Sequence, residues 1–421
     1  MTSAAASGGG RREALDSLAS SVVLQGLVLV SGVIAARILG PTDRGLLALL
    51  WVVALSITQF GTFGVPQAVT YELARGGATV AVLARRAWWI VLGQAVGLTA
   101  IQGLALLTLT TSEDMPATPA LISLAVLPAM VAHLYALGVV QGLKRFRMLH
   151  VCRLLPSAAY TSVLVVGVVA GARSLEFVTA AWVISYAASA AVTVSCAFLA
   201  TRAGPTGRGG LASDVRARTL VSFGAAGLLG TVSPTETFRV DQLIVGVVLS
   251  PAELGLYVSA LAFCNLPRFL AQGLGLVAYP RLAETDDPLV QRRLLWRYTA
   301  LGTAAAAVVA IPLSVFAEPL IRLTFGREFV GAASVAQILL AGTVVLCARR
   351  VMSDCLRGVG APSAGSYAEA FSWVWLIPAL VVLVPPYGVD GVALALAISY
   401  VLSAGLLIWI AERRGLGIRP R

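Results

Sequence analysis

Charge is scarce in this 421-residue sequence: Asp, Glu, Lys and Arg together make up 12% of it. A soluble domain carries about 25% charged residues and roughly 45–50% apolar ones, whereas the hydrophobic share here is 58%. So little charge cannot coat a water-soluble globule of this length, which excludes an ordinary soluble enzyme and a disordered chain. Lysine is nearly missing, with Lys144 standing alone among 31 basic residues. Histidine is limited to His133 and His150 on different segments, so no metal site is expected. Cys152, Cys196, Cys264, Cys347 and Cys355 show no CxxC spacing and read as small apolar residues rather than a disulfide framework. Neither GxxxxGK[ST] nor HExxH occurs, no long polar catalytic domain fits, and no cofactor is implied. The ten-residue alternation of an outer-membrane barrel is absent as well. Basic residues are scattered in short gaps instead of gathered in one polar domain, so nucleic acid is not an expected partner. The first 16 residues are polar, and the apolar block after them is too long for the core of a cleavable signal.

Present instead are apolar blocks near the length that carries a helix across a bilayer. They fall at 18–38, 45–71, 87–110, 118–142, 149–171, 177–200, 220–249, 252–280, 297–317, 330–356, 364–386 and 389–411. The seventh and eighth contain Pro234 and Pro267, breakers tolerated only where neighbours or a cavity satisfy the freed carbonyls. The expected fold is therefore an all-α polytopic membrane protein of about twelve spans. Its tails and even-numbered connections hold 21 basic residues, against four (Arg44, Arg173, Arg322, Arg327) in the odd ones. That bias places both termini in the cytoplasm and favours an even number of spans.

A polar, Gly/Pro/Arg-containing stretch, 201–219, lies at the midpoint and reads as a cytoplasmic linker. It separates a six-helix half over 1–200 from another over 220–421. The halves resemble one another. Pro41-x-Asp43-x-Gly45-Leu46 returns as Pro251-x-Glu253-x-Gly255-Leu256, and Ile184-Ser185-Tyr186 with Ser189-Ala190 returns as Ile398-Ser399-Tyr400 with Ser403-Ala404. Six is even, so both copies lie on the same side, and the repeat is parallel about an axis along the membrane normal, with a substrate path expected between the halves. Gly93 and Gly97 form a GxxxG, which suggests close helix packing.

At these residues the chain resembles a known family. Ala35-Ala-Arg37-Ile-Leu-Gly40-Pro41-Thr-Asp43-Arg-Gly45-Leu46 and Phe60-Gly-Thr-Phe-Gly64 look like the opening of the polysaccharide transporters, the oligosaccharide flippases of the MOP superfamily. In the second half Arg239-Val-Asp241, Ser250-Pro-Ala-Glu-Leu-Gly255-Leu-Tyr257, Tyr279-Pro280-Arg281 and Phe325-Gly326-Arg-Glu-Phe329 agree. The resemblance implies two six-helix bundles around a cavity that opens alternately inward and outward. It implies a transporter of the cell membrane, not an enzyme, that moves undecaprenyl-pyrophosphate-linked oligosaccharide to the outer leaflet during surface polysaccharide biosynthesis. Membrane lipids, and a polysaccharide polymerase, are the implied partners.

Ionisable groups inside spans are costly, so each needs a partner or a wet cavity. The candidates are Glu236, Arg239 and Asp241 in span seven, Arg268 in span eight, and Arg349, Arg350 and Asp354 in span ten. Helical spacing lets Glu236 pair with Arg239 and Arg350 with Asp354, while Arg239 and Asp241 point to different faces. Arg268 and Arg349 have no acid three or four residues away. Arg239, Arg268 and Arg349 are therefore the candidate substrate-binding residues, since a guanidinium fork suits a pyrophosphate; the competing reading of each is an inter-helix salt bridge. Asp241 is the candidate ion-coupling residue, or else the partner of an arginine on another helix. Glu72, Arg153 and Glu369, near the cytoplasmic face, read as structural, Arg37 as snorkelling to the outer surface, and His133 as hydrogen-bonded between helices or titrating. The rival readings are a multidrug antiporter of the related cation-extruding branch, a lipid II flippase, and a membrane-embedded polymerase or ligase.

Overall fold

In the bilayer interior no water can satisfy a backbone amide, so apolar runs of this length close their own hydrogen bonds as helices. The computed structural model describes residues 3–76, 80–110, 115–202, 217–231 and 239–417. Residues 203–216 of the expected linker at 201–219, together with Glu236 and Pro234, lie outside them. In chain order the helices are α1 (Ser3–Gly61), α2 (Val65–Ala74), α3 (Val80–Thr110), α4 (Ala117–Leu124), α5 (Val126–Gly142), α6 (Phe146–Val169) and α7 (Leu175–Arg202). Then follow α8 (Ala217–Thr231), α9 (Val240–Val248), α10 (Pro251–Ala283), α11 (Pro288–Val315), α12 (Ala317–Thr324), α13 (Ala332–Gly358) and α14 (Ser363–Arg413). Among the described residues nine helical stretches, α4 and α5 counted as one, are long and apolar enough to cross a membrane. Many apolar side chains on their outer faces are exposed, among them Trp89, Leu104, Val166, Val308 and Val381, as lipid-facing residues are.

Local chemistry sets the breaks. Helix α1 is interrupted at Gly40, whose φ of 71° only glycine adopts without strain, and Pro41 begins the helical run beyond it. Helix α14 bends at Gly388 (φ 53°) just after Pro385 and Pro386. These two breaks fall in the gaps expected between spans one and two and between spans eleven and twelve. Helix α10 starts on a capping box: Ser250 accepts from the Glu253 amide, the Glu253 carboxylate accepts from the Ser250 amide, and Pro251 opens the first turn. The seventh expected span is not one helix, because Arg239 has a left-handed backbone (φ 51°, ψ 40°) and serves as N-cap of the short α9.

The chain forms two compact units, Met1–Leu39 with Leu50–Thr231, and Gly40–Leu49 with Val232–Arg421. In the first, α5 packs against α2, α3 and α7, around a core that includes Val65, Val69, Leu98, Leu127, Val131 and Leu220. In the second, α13 is the central helix, packed against α10, α11 and α14. Its core of Ala271, Leu282, Leu295, Ala306, Val351, Met352 and Leu356 is rich in small side chains. Four of the five cysteines, Cys152, Cys264, Cys347 and Cys355, are buried and all five are free.

The repeat-related turns meet inside the second unit. A methyl group added to Gly45 would fall on the Pro251 carbonyl, and one added to Gly255 would fall on the Pro41 carbonyl. Proline and glycine of one copy thus face glycine and proline of the other, at a backbone separation only glycine permits. The GxxxG of α3 is different: a methyl on Gly93 or Gly97 meets nothing within 4 Å, so this motif packs no helix among the described residues. Spacing alone does not reveal which face of a helix is covered.

These two glycine settings give opposite expectations. Gly45→Ala or Gly255→Ala forces the turns apart, and overpacking of this kind costs about 1–3 kcal/mol. Gly97→Ala only removes a flexible helical position and gains about 0.5–1 kcal/mol. Melting of the detergent-solubilised protein should fall for the first two variants and hold or rise for the third.

Candidate functional site

The ionisable residues named from the sequence gather in the second unit. Asp241 lies in the first turn of α9 and is only 3% exposed. Its Oδ2 accepts a hydrogen bond from the Tyr257 hydroxyl of α10 at 2.7 Å, and Tyr257 is fully buried. The other carboxylate oxygen, Oδ1, is buried and accepts no hydrogen bond among the described residues. Arg239, capping the same helix, and Arg268 on α10 both act electrostatically on this carboxylate. The expectation that Arg239 and Asp241 face apart assumed one continuous helix. The left-handed turn at Arg239 removes that premise.

Arg349 occupies a second, neighbouring position. It is 5% exposed on α13, and its Nη2 lies 2.7 Å from Glu369 Oε1 on α14. Its guanidinium carbon stands 5.9 Å from the centroid of the Tyr400 ring, a cation–π distance. The sequence shows no acid three or four residues away, and the acid that answers Arg349 comes instead from the next helix. Its Nη1, and Glu369 Oε2, are buried without a hydrogen-bond partner among the described residues. Tyr400 is buried. The unit thus holds two clusters, Asp241 with Tyr257, and Arg349 with Glu369 and Tyr400. The Ser372 and Ser399 hydroxyls, on the two halves of α14, share a 2.6 Å hydrogen bond. Asp354 leans on Arg357 at 3.6 Å as well as on Arg350.

The remaining candidates lie elsewhere. Glu72 pairs with Arg75 at 2.9 Å, and this carboxylate raises the Arg75 guanidinium above its ordinary pKa. Arg37 and Arg153 are exposed. His133 is buried in the first unit, edge-on to Tyr186 with ring centroids 5.7 Å apart, and its Nδ1 has no hydrogen bond among the described residues. Tyr257 and Tyr400 were not named as site residues from the sequence. The repeated Ser-Tyr of α7 and α14 was the available signal for Tyr400. Its copy, Tyr186, meets His133 as Tyr400 meets Arg349.

A buried carboxylate with one oxygen engaged and one unengaged, beside two arginines, can exchange a proton or a small cation. Guanidinium groups collected in low dielectric can bind a phosphate or pyrophosphate bidentately. Residues 34–334 match the family described as polysaccharide biosynthesis protein. The chain belongs to that family. Over 194 residues it is 20% identical to the probable low-salt glycan biosynthesis flippase Agl15 of Haloferax volcanii, a match covering 45% of this chain and 41% of that relative's length. Its fold is similar to that of an inward-facing multidrug resistance MATE family transporter of the MOP superfamily, with TM-score 0.73, 14% identity, and 93% and 94% of the two chains covered. It is also similar to the lipid II flippase MurJ in an inward closed conformation, with TM-score 0.71, 12% identity, and 94% and 87% covered. The family likeness read from the motifs is thus correct, and the protein is a multi-pass membrane protein with the transporter fold of that superfamily.

Two outcomes check the site's energetics. Tyr257→Phe takes the hydrogen bond from a buried carboxylate and should destabilise the solubilised protein by about 1–3 kcal/mol. Removing one partner of a buried ion pair costs about 3–5 kcal/mol, an upper figure for Arg349→Gln because Glu369 keeps some solvent contact. Adding Glu369→Gln to Arg349→Gln should restore part of the lost melting temperature; additive losses would show that the two side chains do not depend on each other.

Proposed function

We propose that this protein flips undecaprenyl-pyrophosphate-linked oligosaccharide units from the cytoplasmic to the outer leaflet, by alternating access, during surface polysaccharide biosynthesis. What supports the reading is a buried Asp241 within electrostatic reach of Arg239 and Arg268, in a chain from a polysaccharide biosynthesis family. A pyrophosphate crossing the bilayer needs charge-assisted contacts in low dielectric, and Arg239 and Arg268 supply forked donors for it. Arg349 adds a third through Nη1, which makes no hydrogen bond among the described residues while Nη2 holds Glu369. Arg239 keeps a left-handed backbone that costs a non-glycine residue about 1–2 kcal/mol. Strain of this kind concentrates at functional sites. Asp241 is the ion-coupling residue in this reading, taking up a proton or cation at Oδ1. The accompanying topology is twelve spans in two six-helix bundles, over 1–200 and 220–421, joined by a cytoplasmic linker at 201–219. The bundles are related by a parallel pseudo-two-fold, and both termini are cytoplasmic. A polysaccharide polymerase is the partner that would consume the flipped product.

Replacing Arg239 or Arg268 with Gln removes a contact worth about 1.5–3 kcal/mol, so affinity for the lipid-linked substrate should fall roughly tenfold or more. Lys should rescue only in part, since it keeps the charge and loses the fork. Melting temperature is measured alongside: lost stability with unchanged affinity would overturn the binding role. Asp241→Asn should abolish ion-driven transport in proteoliposomes yet leave substrate affinity largely intact, and full accumulation by that variant would remove Asp241 from the coupling role.

A further inference from the structure

The two halves of α14 form a trough whose lining includes none of Arg239, Asp241, Arg268, Arg349 and Glu369. Along the first half Ser363, Ala364, Tyr367, Ala370, Phe371 and Val374 follow a three–four spacing and line one side. Leu406, Trp409, Ile410 and Arg414 line the other. Three of these residues, Ser363, Ala364 and Ala370, have little side chain, so a space of about 480 Å³ opens between the larger Tyr367, Phe371 and Trp409. Tyr367 is 62% exposed and Trp409 is 48% exposed, so the trough faces outward toward lipid.

Its polarity is one-ended. The lining is apolar from Val374 to Ala364, and the cationic group, Arg414, stands at the end where α14 both begins and finishes. Arg413 is beside it, its guanidinium carbon 4.1 Å from the centroid of the Trp409 ring that walls the trough. The neighbouring acid, Glu412, packs against Gly417 and does not line the space. Eleven residues separate Ser363 from Val374, about 16 Å of helix at 1.5 Å per residue. One leaflet's share of the hydrocarbon core is about 15 Å. An apolar trough one leaflet deep, with guanidinium groups at one end, has the shape and charge of a single anionic phospholipid.

We propose that this trough is a specific anionic phospholipid site, with acyl chains lying along Ala364, Ala370 and Phe371 and the headgroup phosphate on Arg414 and Arg413. The site is separate from the proposed substrate residues and does not depend on the flippase reading. The test is native mass spectrometry of the full chain in mild detergent, with equimolar phosphatidylglycerol and phosphatidylcholine. The wild type should retain phosphatidylglycerol at least threefold over phosphatidylcholine. Arg413→Gln combined with Arg414→Gln should erase that preference, and Ala370→Phe, which fills the trough from an exposed position, should reduce retention of both lipids. Val374→Trp gives the same occlusion should Ala370→Phe lower the melting temperature. Equal retention of the two lipids by the wild type, or unchanged phosphatidylglycerol retention in the arginine and occluding variants, would overturn the proposal. So would stronger retention of an added polyprenyl phosphate than of phosphatidylglycerol.

Discussion

A charge carried into a bilayer has to find a partner there, and the second unit is organised around that requirement. Placing one Arg or Asp at the centre of a lipid-facing helix costs about 2.5–3.5 kcal/mol even on the lenient insertion scale. This chain places Asp241, Arg268 and Arg349 within or at the ends of its helices and answers each one locally. Asp241 is held by Tyr257 and by two arginine charges, and Arg349 by Glu369 and the Tyr400 ring. Helix α13 can occupy the centre of the unit because its single deeply buried charge is paired with α14, while its remaining buried face is apolar apart from Thr343. Packing and electrostatics are one problem here: the Arg349–Glu369 pair joins the same two helices that the apolar core joins.

The sequence motifs that recur along the chain sit in different chemistry. Tyr186 and Tyr400 occupy matching motif positions, and each meets a nitrogen-bearing side chain from a facing helix, neutral-capable His133 in one case and permanently charged Arg349 in the other. The serine before each tyrosine diverges as well. Ser399 shares a hydrogen bond with Ser372, whereas Ser185 is buried with its hydroxyl unpartnered among the described residues. The reciprocal fit of Gly45 on Pro251 and Gly255 on Pro41 keeps the repeat motifs themselves nearly invariant, because neither glycine has room for a methyl group.

Much of the fold was legible because the bilayer imposes long apolar helices with breakers between them. Gly40 and Gly388 interrupt α1 and α14 within the gaps that hydropathy leaves. The candidates were legible as residue types: Arg239, Arg268, Asp241 and Arg349 stand out because charge inside a span is rare. Their partners were not. Glu369 is 20 residues from Arg349, and a three-or-four spacing rule sees only neighbours on one helix. The different-faces argument for Arg239 and Asp241 lost its premise of one continuous helix at a left-handed turn in a non-glycine residue, which no propensity indicates. The Gly93–Gly97 spacing misled in the opposite direction, since it marks a surface and not a contact.

In the proposed mechanism Arg239, Arg268 and Arg349 serve a pyrophosphate-linked saccharide. Translocation in proteoliposomes tests it most directly. A polyprenyl-pyrophosphate-linked oligosaccharide is placed in the inner leaflet, and its arrival outside is read with an impermeant saccharide-binding lectin. The account predicts lectin-accessible substrate appearing with the wild type, and at least tenfold more slowly with Arg268→Gln at equal protein abundance. Transport of organic cations by the wild type, with no movement of the lipid-linked saccharide, would contradict it.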